Sequence, residues 1–205
     1  MLTALLHGIL LAFGLIIPLG AQNVFVFNQG AAQHKFRGVI PVLLTASLCD
    51  TLLILLAVLG VSIVVLSIPI LQTSLFAIGL VFLLYMGFSI WNSSPANLQQ
   101  PESRMTPKKQ ILFAMSVSLL NPHAILDTIG VIGTSSLAYA GTEKVLFTIA
   151  CIVTSWIWFL GLAIAGKVVG HFDAQGKLLK LINKVSAIII WMVALYIASQ
   201  LYQML

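Results

Sequence analysis

Six apolar runs, each roughly 20 to 28 residues long, leave this chain few ways to fold, because about 20 such residues wound as a helix cross the hydrocarbon core of a bilayer. They cover about residues 3–27, 39–66, 70–91, 111–137 and 145–169, with a sixth ending near Tyr202. Only 7% of the 205 residues are charged and 60% are hydrophobic, whereas a soluble domain carries about 25% charged residues. Such a chain cannot cover a water-facing surface. It is expected to be an all-α integral membrane protein embedded in the lipid bilayer. The formal net charge of +5 does not point to a nucleic-acid partner, because the basic residues fall between the apolar runs, where they set topology. Cys49 and Cys151 lie inside the runs without CxxC spacing and read as small buried hydrophobes. No basic residue precedes the first run, and Leu19 stands where a small residue would precede a cut after Ala21. That run is therefore read as a span and not as a signal peptide.

The one long polar stretch, residues 92–110, separates residues 1–91 from residues 111–205, with three spans in each part. An odd number of spans per half makes the second half cross the bilayer in the opposite sense. The expected architecture is six transmembrane helices arranged as two inverted three-helix repeats. Lys35 and Arg37 lie in the first connection, Arg104, Lys108 and Lys109 in the third, and Lys167, Lys177, Lys180 and Lys184 about the fifth. The second connection has no basic residue and the fourth only Lys144. Positive residues stay inside, so the odd connections are placed in the cytoplasm and both chain ends outside.

Polar residues interrupt two of the spans. Asn121, Pro122, His123 and Asp127 occur together in the fourth run. Pro122 has no backbone N–H and clashes with the preceding turn, freeing carbonyls near Ser118. His123 and Asp127, four residues apart, share one face of a helix. The first run is broken at the corresponding place by Pro18, Gly20, Gln22 and Asn23. Interrupted spans at matching positions of two halves point to a binding site near the bilayer midplane. The alternative is a pair of ordinary proline kinks in which Gln22 and Asn23 satisfy the freed backbone groups; the crowding of amides and ionisable groups at both breaks favours the site. Asp50 is a lone acid in the second run; Glu102, Glu143 and Asp173 fall in connections.

The segment Pro18-Leu19-Gly20-Ala21-Gln22-Asn23-Val24-Phe25-Val26, running on to Asn28-Gln29-Gly30, resembles the first-span signature of the LysE-type basic amino acid exporters. Leu120-Asn121-Pro122-His123 with Leu126-Asp127-Thr128 is similar to the fourth-span motif of that family, and Cys49-Asp50 and Ser155-Trp156-Ile157-Trp158-Phe159 look like its second- and fifth-span features. Ala21 departs from the pattern, where the family usually has a second proline. The resemblance covers essentially the whole chain. It implies export from a bacterial cell across the plasma membrane, with lysine and arginine as the best-known cargo and neutral amino acids or metal ions carried by wider relatives.

The residues fit that implication. A carboxylate near the bilayer centre costs several kcal/mol unless it is paired or protonated, and no Lys or Arg lies deep in any span to pair with Asp50 or Asp127. A proton, His123 or a bound cation can supply the charge. A cationic amino acid would put its side chain on a carboxylate and its backbone groups on half-helix ends and the amides of Gln22, Asn23 and Asn121. Trp156 and Trp158 sit mid-span, away from the interfaces where Trp91 belongs, and Trp156 is a candidate cation–π contact. Asp50, Asp127 and His123 are the candidates for proton coupling. Interhelical hydrogen bonding alone would also account for the acids. A divalent-metal exporter would use the same three groups, without the Cys or His cluster such sites favour. A membrane-embedded His/Asp enzyme would lack a nucleophile motif. The pattern calls for no cofactor and no metal. Small residues such as Gly130, Gly161, Gly166 and Gly170 read equally as close helix contacts or as homodimer faces.

Overall fold

The computed structural model describes residues 1–17, 20–60, 69–92, 105–173 and 176–204. The side chains of Pro69, Leu71, Gln72, Leu75, Pro122, His123, Leu126 and Met204 also lie outside the described set. So do Pro18 and Leu19 of the expected first break, the second run beyond residue 60, Ser67 and Ile68 of the next joint, and residues 93–104 of the linker.

Every described regular element is helical: α1 Leu2–Ile16, α2 Ala21–Ala32, α3 Ile40–Val58, α4 Pro69–Trp91, α5 Pro107–Leu119, α6 Pro122–Asp127, α7 Gly141–Phe172 and α8 Lys177–Met204. A 3-10 turn at Phe36–Gly38 precedes α3, and α6 runs on through wide π-type turns at Thr128–Gly133 to a last turn at Thr134–Ser136. Local sequence sets the ends. Thr106 caps α5 by accepting from the Lys109 N–H at 3.5 Å, with Pro107 in the first turn, where a missing N–H costs nothing. Pro122 does the same for α6 behind the extended Asn121, ψ 102. Gly60, φ +76, ends α3 in a backbone conformation that other residues adopt only with strain.

Among the described residues, α3, α7 and α8 are long and apolar enough to cross a membrane, and α1 with α2 make a fourth span if taken as one unit bent by 80°. The apolar part of α4, Phe76–Trp91, is shorter, and the fourth run is divided between α5 and α6 at Leu120 and Asn121. The expected polar turn from Asn28 to Arg37 starts later than the sequence suggests. Asn28, Gln29 and Gly30 are buried inside α2, which continues to Ala32. Part of their polarity is met by other helices: Asn28 Nδ2 donates to Asn183 Oδ1 of α8 at 2.8 Å, while Asn28 Oδ1 has no partner among the described residues. A buried amide with a partner is tolerated where one without is not.

The two halves exchange packing partners. α1 and α2 lie against α7, α5 and the π-type turns lie against α3, and α4 packs along α8. One apolar cluster joins Ala21, Leu83, Val117 and Ile190 from α2, α4, α5 and α8. Another joins Ala12, Ile54, Ile132 and Phe147 from α1, α3, the π-type turns and α7. Leu10, Leu52, Phe88 and Leu195 point outward and are exposed, as a lipid-facing surface requires. The glycines divide by contact. Gly166 and Gly170 face the backbone of Phe27 and Ala31, and Gly30 faces that of Ala163, so small residues bring α2 and α7 together. A Cβ at Gly130 or Gly161 would meet nothing within 4 Å among the described residues.

Candidate functional site

A cavity of about 130 Å³ lies at the start of α2, room for about four waters at ~30 Å³ each. Gly20, Ala21, Gln22 and Asn23 form one wall, Asp50 and Ile54 of α3 another, and Asn121, Ala124, Asp127 and Thr128 a third. Apolar side chains from α1, α4, α7 and α8, among them Leu15, Leu83, Phe159 and Ile190, complete it. Both helix breaks therefore meet at one hollow. Of the residues singled out from sequence, Gln22, Asn23, Asp50, Asn121 and Asp127 line it. The described lining holds two acids and no basic residue.

Asp50 is held from two helices. Ser155 Oγ of α7 donates to Asp50 Oδ2 at 2.8 Å, and Gln22 Nε2 reaches Oδ1 at a long 3.5 Å while also approaching the Ala46 carbonyl at 3.4 Å. A carboxylate oxygen can accept more than one hydrogen bond, so Asp50 keeps acceptor capacity toward the cavity. Asn23 is fixed on both sides of its amide: Nδ2 donates to the Ile16 carbonyl at 2.7 Å and Oδ1 accepts from Trp158 Nε1 at 3.3 Å. The first of these bonds satisfies a carbonyl left open at the end of α1. Asn121 is buried, and its Oδ1 has no hydrogen-bond partner among the described residues. Asp127 is half-buried one helical turn beyond Asn121's break.

Trp156 does not line the cavity. Its indole Nε1 donates to Thr51 Oγ1 at 3.0 Å, and Thr51 in turn donates to the Ser47 carbonyl at 2.7 Å. Mid-span tryptophans here thus pair α7 with α2 and α3. The side chains of Pro122 and His123 lie outside the described residues, although the backbone of Pro122–Asp127 is helical, as the four-residue spacing of His123 and Asp127 requires. No group of three or more His, Cys, Asp or Glu side chains placed to hold a metal occurs among the described residues. Sequence reasoning gave no role to Ser155, the donor closest to Asp50. A serine in an apolar span contrasts little with its surroundings, and only its place in the Ser155-to-Phe159 cluster drew notice.

Membrane-length apolar helices closed around an acidic, amide-lined hollow define a helical membrane transporter. The chain matches the LysE type translocator family over residues 13–201 and belongs to it. It is 55% identical over 201 residues, 98% of this chain and 91% of that protein, to one named "Putative amino-acid transporter YisU" of Bacillus subtilis. It is 31% identical over 204 residues, 98% of this chain and 95% of that protein, to the arginine exporter protein ArgO of Klebsiella pneumoniae. No solved structure matches it.

Proposed function

We propose that this protein exports basic amino acids, lysine and arginine, from the bacterial cytoplasm in exchange for protons. The observation that carries the reading is a cavity holding Asp50 and Asp127 with no basic residue in its described lining. Two acids facing one cavity in an apolar interior favour a cation or protons as its occupant. The cargo's ammonium or guanidinium group takes the carboxylates. Its own carboxylate takes the start of α2, where Val24 N–H to the Gly20 carbonyl at 3.1 Å is the first helical bond. The start of α2 carries the positive end of the helix dipole. Gln22, Asn23 and Asn121 complete the cradle. Pro122 keeps the second break open, and Trp156 acts from behind through Thr51.

Moving one positive charge outward against an inside-negative potential costs about 2.3 kcal/mol per 100 mV. Entry of a proton cancels that electrical term. Asp50, Asp127 and His123 carry the proton, and cargo and proton compete for the acids. The exchanged packing of α1–α2 on α7 and of α5 with the π-type turns on α3 supports six spans in two inverted three-helix repeats, with odd connections cytoplasmic and both ends outside.

The test is growth of an exporter-deficient strain on dipeptides. This protein is expected to relieve arrest by arginine- or lysine-containing dipeptides and not by a threonine-containing one. Relief confined to threonine would move the cargo to the neutral class. Failure with all three would remove amino acid export.

A further inference from the structure

Cargo must reach the cavity from the cytoplasm, and α2 carries groups suited to that route. Gln22, Gln29 and Gln33 recur at spacings of seven and four residues, which aligns them in one stripe along the helix. At ~1.5 Å per residue the stripe is roughly 16 Å long, about half of the ~30 Å hydrocarbon core. All three side chains are buried. Gln22 stands at the cavity beside Asp50. At the far end Gln33 Nε2 donates to Gln29 Oε1 and to the Met105 carbonyl, each at 3.4 Å. Gln110 Nε2 of α5 donates to the same carbonyl at 3.1 Å and to that of Gly38 at 3.0 Å. Gly38 follows Lys35 and Arg37 in the first connection, so this end of the stripe is the cytoplasmic one.

Two features mark the stripe as a closed passage and not as packing. Gln110 is 1% exposed, yet its Oε1 has no partner among the described residues. A buried acceptor left open is expensive, so this is a place where a donor from water or cargo fits. Between Gln22 and Gln29, the ring of Phe25 meets Phe113 of α5 with centroids 4.3 Å apart. Along α2 that contact falls between the upper amide and the lower ones in sequence.

We propose that the amide stripe of α2 is the inner half of the cargo's route, closed in this conformation by Phe25 against Phe113 and by the Gln29, Gln33 and Gln110 cluster beneath them. The proposal rests on the transport reading and its orientation. Neutral amide oxygens accept from an ammonium or guanidinium group without holding it as a carboxylate does. Cargo therefore enters and moves on to Asp50, the balance any conducting path needs. Opening requires α2 and α5 to part, which frees Gln110 Oε1 to meet cargo or water.

The test uses full-length protein in inverted vesicles, cytoplasmic face outward, acidified within and supplied with arginine. A membrane-impermeant cationic thiol reagent is added outside. Buried Cys49 and Cys151 make the unsubstituted protein the baseline. Gln33→Cys is expected to label slowly at rest and about tenfold faster or more during turnover, as an inner-open state rises from a minor population. Ala124→Cys, in the cavity above the rings, is expected to be shielded at rest and labelled once Phe113→Ala is added. Labelling of Gln33→Cys unchanged during measured arginine accumulation, or Ala124→Cys still shielded after Phe113→Ala, would overturn the gate. Should unsubstituted protein accumulate neither arginine nor lysine, that result counts against the transport reading, and the Ala124→Cys arm alone decides the gate.

Discussion

Ser155 and Asp50, 105 positions apart in sequence, are joined by a 2.8 Å hydrogen bond from the serine hydroxyl to Oδ2. The bond ties α7 to α3 at the cavity wall and fixes the direction in which the carboxylate presents its other oxygen. A hydrogen bond to a charged group is worth about 1.5–3 kcal/mol. Ser155→Ala is accordingly expected to weaken arginine binding by roughly ten- to a hundredfold, with membrane insertion intact. Isothermal titration in detergent reads it. Ser155→Thr, which keeps a hydroxyl, should recover part of the loss, and affinity unchanged in Ser155→Ala would show that Asp50 needs no such positioning.

Asp127 lines the same cavity from the other half of the chain. Asp127→Asn keeps the shape and removes the negative charge, so it separates packing from electrostatics. The variant is expected to insert at ordinary levels, bind arginine at least about tenfold more weakly, and lose acid-driven accumulation in inverted vesicles. Accumulation that still follows the pH gradient would take Asp127 out of the coupling. Asp50→Asn run in parallel tells whether one acid or both carry the exchange.

The helical membrane class and the cavity were legible in sequence because each rested on strong local contrast. An acid, an amide or a proline within an apolar run is conspicuous, and Gln22, Asn23, Asp50, Asn121 and Asp127 do line one hollow. The C-terminal end of α2 was not legible. Asn28, Gln29 and Gly30 have the composition of a solvated turn, and only the fold supplies Asn183, Met105 and Ala163 as their neighbours. Trp156 is a candidate cargo contact by sequence, and the fold adds that its indole N–H donates to Thr51. Polarity identifies a residue that needs a partner; it does not say whether the partner is water, cargo or another helix.

The glycines of α7 make a graded test of packing. A Cβ at Gly166 would run into the carbonyl of Phe27, while one at Gly161 would meet nothing within 4 Å. The obstacle at Gly166 is backbone on an interior helix and cannot swing aside. Gly166→Ala is expected to cost about 1–3 kcal/mol, lowering the thermal transition in detergent, whereas Gly161→Ala should be neutral or slightly stabilising. Equal stability of the two variants would mean that α2 and α7 do not pack this closely.

Lys167 is the link between that packing and the C-terminal end of α2. Its Nζ lies 2.5 Å from the Gln33 carbonyl and 2.7 Å from that of His34, where α2 ends with carbonyls open and the negative end of its dipole exposed. A cation on those carbonyls is worth up to about 2 kcal/mol in partly buried geometry. Lys167→Met is therefore expected to lower the thermal transition modestly, with Lys167→Arg close to the unsubstituted protein. It should also loosen the end of α2 that bears Gln33, so that Gln33→Cys labels faster at rest in the Lys167→Met background. A fall in stability without faster labelling would confine Lys167 to helix capping and leave the closure to the phenylalanine rings and the glutamine cluster.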